Sequence, residues 1–203
     1  MYIQETYEYK DFIIEIVPDE DPFNPREDDG NVGTMVCWHR DLVLGDDFPS
    51  KLFERFKSWN FDRRKAVFNR WLNIYQKHLV ILPLYIFNHS GITISTKPFY
   101  CPWDSWQVGW IYAPHNILKV YFDVKELTSE LIEETRQLLI QEVKTYDDYL
   151  TGNVWGFLIK NKNKKMVDCC FGFWGDEGLE ECQNQARLSA DAYEKQLMPL
   201  FHL

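Results

Sequence analysis

Residues 83–113 read PLYIFNHSGITISTKPFYCPWDSWQVGWIYA. Two short β-rich runs, PLYIF (83–87) and ITIST (92–96), flank Asn88-His89-Ser90-Gly91, the pattern of an antiparallel hairpin. Pro98 and Pro102 bracket an irregular loop through Trp106, and QVGWIYA (107–113) returns as a strand. The stretch also holds a His, a Cys, an Asp and three Trp. No other part of the chain gathers as many side chains able to build a site.

Working outward, YEYKDFIIEIV (7–17) reads as a strand, with Phe12, Ile14 and Ile16 on one face. PDEDPFNPREDDGN (18–31) is a loop, and GTMVCWHRDLVL (33–44) a second strand. Ser50 is placed to cap a short helix, KLFERFKSW, and Asp62 a second one over residues 63–79. Residues 128–146 predict an amphipathic helix with Leu131, Ile132, Thr135, Leu138, Leu139, Val143 and Tyr146 on one stripe. Residues 153–175 read as a hairpin turning at Lys160–Lys165. Residues 177–198 form a last helix, with Leu179, Cys182, Ala186, Ala190, Tyr193 and Leu197 on one side. These readings sum to a single α+β domain over residues 1–203, mainly an antiparallel sheet of about six strands with three or four helices packed on it.

Of the 203 residues, 45% are hydrophobic and 16% aromatic, enough for a packed core and too apolar for global disorder. Met1 leads into YIQETYEYKD without a basic start or apolar run, and no segment approaches the roughly 20 apolar residues of a membrane span. With five cysteines, an odd number, the expectation is a reduced intracellular protein.

The net charge of −9 is banded. Residues 18–50 hold nine carboxylates against Arg26 and Arg40, residues 51–78 hold eight basic groups against Glu54 and Asp62, and residues 126–150 are acidic again. An acidic balance argues against direct nucleic-acid binding. It makes Asp19, Glu20, Asp21, Glu27, Asp28, Asp29, Asp46 and Asp47 candidates for docking on a basic partner. The competing reading is a solvated loop.

Three chemistries compete with packing as explanations of these side chains. Cys37-x-His39 places two ligand types on one strand face, and His89, Cys101 and Cys169-Cys170 add donors, but none has the short-spaced pair typical of zinc. No metal or cofactor is expected. Cys101, His89 and Asp104 are the residue types of a thiol nucleophile, its base and an orienting acid, yet Cys101 has no helix behind it to favour a thiolate. Packing and turn-capping explain them as well, so no catalytic residue is assigned. His89, Trp103, Asp104 and Trp106 are the candidates for an aromatic pocket that stacks a nucleotide.

The blocks NPREDDGNVGTMVCWHRDLVLGD, PLYIFNHSGITISTKPFYCPWDSWQVGWIY, EVKTYDDYLTGNVWGFLI and VDCCFGFWGD resemble, in order and spacing, a widespread family of bacteriophage proteins. Family members read PREWDNLGTMVCWHRRYNLGD, PLYLYDHSGITISTTPFSCPWDSGQVG, ETYDQYLTGDVYGF and DSCWGFYG. The resemblance covers most of residues 8–176. Asp28-Asp29-Gly30 stands where Trp-Asp-Asn is usual, Asn88 replaces an Asp before His89, and Trp106 replaces a Gly. The resemblance implies a phage accessory protein in the host cytoplasm that inhibits an anti-phage defence by binding a host defence protein or complex. No membrane partner is implied, and homo-oligomerisation stays open.

Overall fold

The computed structural model describes residues 3–46 and 61–197. The expected helix KLFERFKSW with its Ser50 cap, and Asp47, lie outside these residues. The fold is α+β: two antiparallel sheets of four strands each, with four helices among the described residues. Eight strands in two sheets thus stand where the sequence pattern suggests about six in one. The chain divides into two compact units, one made of the residues up to Asn24 and from Asp148 onward, the other of Pro25–Asp147.

In the first unit, β1 (Glu5–Tyr9) and β2 (Phe12–Pro18) form a hairpin where one strand is expected from sequence. The reversal is tight, with Tyr9 opposite Phe12 and Lys10 at a left-handed φ of 55°. The sheet continues through β7 (Val154–Asn161) to β8 (Met166–Trp174), in the order β1-β2-β7-β8. Alternation puts Phe12, Ile14, Ile16, Phe157 and Ile159 on one face, and the final helix (Gly175–Leu197) lies on it through Cys182, Ala186 and Ala190. Small side chains four residues apart let the helix axis come close to the sheet. Each large apolar group sealed there contributes about 1.5–3 kcal/mol. Burial pushes the Cys182 thiol up to about 12, with Cys170 adding to the shift.

In the second unit the order is β3-β6-β4-β5, with β3 at Thr34–Cys37, β4 at Leu79–Asn88, β5 at Ile92–Ser95 and β6 at Ser105–Pro114. All pairs are antiparallel. Val36 and Trp38 face helix α1 (Phe61–Tyr75), packing on Phe68 and Leu72, with Trp71, Trp110 and Tyr112 around them. On the other face Ile111 packs beside Gly33, against which Leu139 of a long helix (Ser129–Thr151) also fits, so tightly that a Cβ at Gly33 would meet both side chains. The seven-residue helix α2 (His115–Tyr121) links β6 to this region. The long helix is accordingly α3 and the final one α4. Thr135, Leu139, Val143 and Tyr146 of the expected α3 stripe are buried.

β3 is shorter than its apolar pattern suggests. Gly45, at a φ of 76°, forms an isolated bridge with Val36, so residues 38–44 turn back instead of extending the strand. Arg26 drives this. Its side chain is 2% exposed and all five guanidinium N–H groups are used. Nε and Nη2 donate to the Asp46 carboxylate at 2.6 and 2.9 Å, Nη1 donates to Glu142 (2.8 Å) and Asn31 (2.9 Å), and Nη2 also donates to the Gly33 carbonyl (2.7 Å). Glu142 accepts the Val32 and Gly33 N–H groups, and Asp46 that of Met35. A buried guanidinium is tolerated only when its partners are this complete.

Candidate functional site

Antiparallel order decides which loops meet. In β3-β6-β4, the C-terminal end of β3, the N-terminal end of β6 and the C-terminal end of β4 lie side by side. Three sequence blocks therefore converge there: Cys37-Trp38-His39-Arg40, Asn88-His89-Ser90-Gly91 and Cys101-Pro102-Trp103-Asp104-Ser105-Trp106. Register fixes the details. Trp38 N–H donates to Val108, Trp106 pairs with Ile86, and Asn88 N–H donates to the Asp104 carbonyl at 2.9 Å. In the β4–β5 turn Ser90, not Gly91, takes the left-handed φ, at 59°.

Of the pocket residues expected from sequence, His89 and Asp104 are brought together here, Trp106 stacks instead on His39, and Trp103 stands 89% exposed. His89 Nδ1 lies 3.4 Å from Asp104 Oδ2, and the imidazole stacks on Phe87. The Cys101 thiol reaches the same oxygen at 3.7 Å. The carboxylate therefore sits between thiol and imidazole. That is not the nucleophile–base–orienter order of a thiol enzyme.

Sequence reasoning missed His39, Arg40, Asp41 and Asn88 as members of this site. With Trp106 they line a cavity of about 400 Å³. The His39 ring stacks on Trp106, with centroids 5.9 Å apart and planes at 29°. Its Nδ1 accepts the Asp41 N–H at 3.1 Å. Only strand order, invisible in a single sequence, places Asn88 across from His39.

The Cys37-x-His39 pair does not share a face as its spacing suggests, because β3 ends at Cys37. Its thiol is driven well above the ordinary range by burial and by Asp46, against the pull of Arg26, whereas His39 turns to Trp106. Cys169 and Cys170 are exposed on β8 of the other unit. No His/Cys/Asp/Glu group among the described residues is arranged to hold a metal ion.

The acidic candidates separate. Asp19, Glu20 and Asp21 belong to the first unit and Glu27, Asp28 and Asp29 to the second. All but Asp19 are exposed. Asp28 caps its own loop by accepting the Gly30 N–H. Asp46 is a correction to the docking set: its carboxylate is committed to Arg26 and to the Met35 N–H.

No protein-family model matches the chain, and no curated protein or solved structure matches it. Among the described residues, no helix is long and apolar enough to cross a membrane.

Proposed function

We propose that this is a phage-encoded accessory protein that inhibits a host anti-phage defence by binding. The partner is a defence protein or complex in the host cytoplasm. The observation that carries the reading is the exposure of Tyr100 (106%), Trp103 (89%) and Trp106 (39%) at the sheet end where the three blocks converge. Large aromatics left in water at one place are costly to a free protein and are the residue types that anchor interfaces. Glu27, Asp28 and Asp29 of the same unit add a negative set that would speed association with a basic surface and help to select it. The phage setting rests on the sequence resemblance.

Phage plating efficiency in bacteria carrying single defence systems tests the reading. Expression of the protein should restore plating against one system, and the double variant Tyr100→Ala/Trp103→Ala should lose that rescue at unchanged protein level. Neutralising Asp19, Glu20, Asp21, Glu27, Asp28 and Asp29 together should weaken rescue in a folded protein. No rescue against any system, with the protein abundant and folded, overturns the proposal.

A further inference from the structure

The edge strands of the two sheets are not equally closed. β3 and β5 have four residues each, and Asp147 already takes the outward Ile94 N–H of β5. β1 has five and carries Glu5 and Glu8, which would repel a copy of themselves. β8 runs for nine residues, with Met166, Cys169, Cys170 and Phe171 exposed and Asp168 as its only charge. A long, largely apolar edge with open backbone groups is a template for another strand. We infer that the β8 edge is an interface between two copies of this chain, paired antiparallel about a two-fold axis at Cys170. This inference does not depend on the inhibitor reading.

The hydrogen bonds of β7 fix which groups of β8 are open. Asn161 N–H donates to the Lys165 carbonyl, and the Asn153 carbonyl accepts the Gly175 N–H, so the odd-numbered residues of β7 point toward β8. Phe157 lies opposite Cys170, and Ile159 opposite Asp168. Cys170 and Asp168 therefore turn their backbone groups inward, and Cys169 and Phe171 turn theirs outward. Accordingly, Cys169 N–H donates to the neighbouring Asp168 side chain at 2.9 Å, a carboxylate that also accepts the Ser189 hydroxyl. Two-fold pairing must set outward residue against outward residue. With Cys169 opposite Phe171 of the second copy, the outward residues of both copies are all used, each pair exchanging both N–H···O bonds. Cys170 then meets its counterpart across the axis in the close, non-hydrogen-bonded position, with Cα atoms about 4.5 Å apart.

Charge selects both the sense of pairing and the partner. The turn that leads into β8 carries exposed Lys164 and Lys165, and α4, which follows β8 directly, opens with exposed Asp176, Glu177, Glu180 and Glu181. No basic residue lies between Lys165 and Arg187. Each copy is thus basic at one end of the strand and acidic at the other. Antiparallel pairing sets the basic end of one copy beside the acidic end of the other, and symmetry repeats the match at the far end. Parallel pairing would set like charges together at both ends. Register shifts on either side of the Asp168–Phe171 segment, with Gly172 at a φ of 88°, keep the flat stretch short. The interface is therefore small, and the dimer forms as concentration rises.

Sedimentation equilibrium of the full chain under reducing conditions tests the interface, with concentration raised from about 10 µM to about 1 mM, where small interfaces associate. The mass should rise from 24.3 kDa toward twice that value, and added salt should lower it. Cys170→Lys sets two ammonium groups opposite each other and should weaken association about tenfold or more, whereas Cys170→Ser should leave it intact. Lys164→Glu/Lys165→Glu, in an exposed turn outside the paired backbone, should also weaken it, and decides the matter if Cys170→Lys does not fold. Circular dichroism confirms that each variant is folded. In a Cys101→Ser/Cys169→Ser background, diamide, which takes up both thiol hydrogens as one S–S bond forms, should yield a covalent dimer that is lost on adding Cys170→Ser. A chain that stays monomeric over the whole range overturns the inference, and so rules for a strand of some other protein at this edge or for none. Association that survives these lysine substitutions in folded variants overturns it too, as does crosslinking that persists without Cys170.

Discussion

Two polar clusters in the second unit make opposite use of the same kinds of side chain. Around Arg26, two carboxylates, an amide and a carbonyl enclose a guanidinium that is 2% exposed, with the Arg26 bonds between 2.6 and 2.9 Å. Around Asp104, a thiol at 3.7 Å and an imidazole at 3.4 Å share one oxygen, with side chains 39% (Asp104) and 68% (His89) exposed. The first is a closed account of donors and acceptors that fixes the chain path. The second leaves capacity open to solvent. A charged motif is thus no guide to a site until its unspent hydrogen-bonding capacity is known.

The sharpest way to break this contrast is Arg26→Ala. It should cost about 3–5 kcal/mol, because Asp46 and Glu142 would be left half-buried without their cation. Urea denaturation measures it, and Arg26→Lys should recover only part, since one ammonium cannot replace five fixed donors. A loss below about 1 kcal/mol would put the two clusters in the same class.

Asp147 is an intermediate case. Burial raises its pKa from the ordinary 3.8, while the Thr93 hydroxyl and the Ile94 N–H, which it accepts, pull it down. The folded state therefore holds this proton more tightly than the unfolded chain. The contribution is fully present below pH 3.8 and is lost as pH rises through the raised folded value. Asp147→Asn keeps an oxygen for both donors and should flatten stability over that window, measured by denaturation at stepped pH.

His115 has the opposite sign. Burial, with His78 and Lys119 nearby, lowers its pKa from 6.5. Its contribution is present above pH 6.5 and is lost as pH falls through the lowered folded value. His115→Gln should remove this small slope. At the open cluster, Asp104→Asn should change stability by no more than about 1 kcal/mol, as for an exposed pair. Tyr100→Ala and Trp103→Ala should each stay within about 0.5 kcal/mol, although both are expected to disable binding. A large thermal shift from either would mean that these aromatics pack.

How far the sequence foretold this molecule depended on the range of the interaction involved. The α3 stripe and the small face of α4 were readable because helical periodicity is local. The β7–β8 and β4–β5 hairpins were readable because their turns lie beside the strands they join. The β1–β2 reversal was hidden, since a lysine occupies the left-handed position normally announced by Gly or Asn. β4 begins at Leu79, four residues before Pro83, which lies in the half of the strand that β5 does not reach. A proline is tolerated where a strand is locally an edge. At the site, His89, Asp104 and Trp106 were readable from one dense segment. His39 and Asn88 were not paired, because their nearness comes from the β3-β6-β4 order. Arg26 reads locally as a counter-charge in an acidic loop, because its carboxylate partners lie 20 and 116 residues away.

The first sheet carries a consequence in time. The Glu15–Lys160 pair that joins β2 to β7 spans 145 residues, and the helix that covers Phe12, Ile14 and Ile16 comes later still. On the ribosome, the second unit emerges as one uninterrupted segment, whereas the first hairpin waits bare until the last quarter of the chain is made. Its apolar strand is then a standing invitation to chaperones. Contacts this distant also slow the final step. Synthesis of β7, β8 and α4, more than any local helix, is what makes the first unit whole.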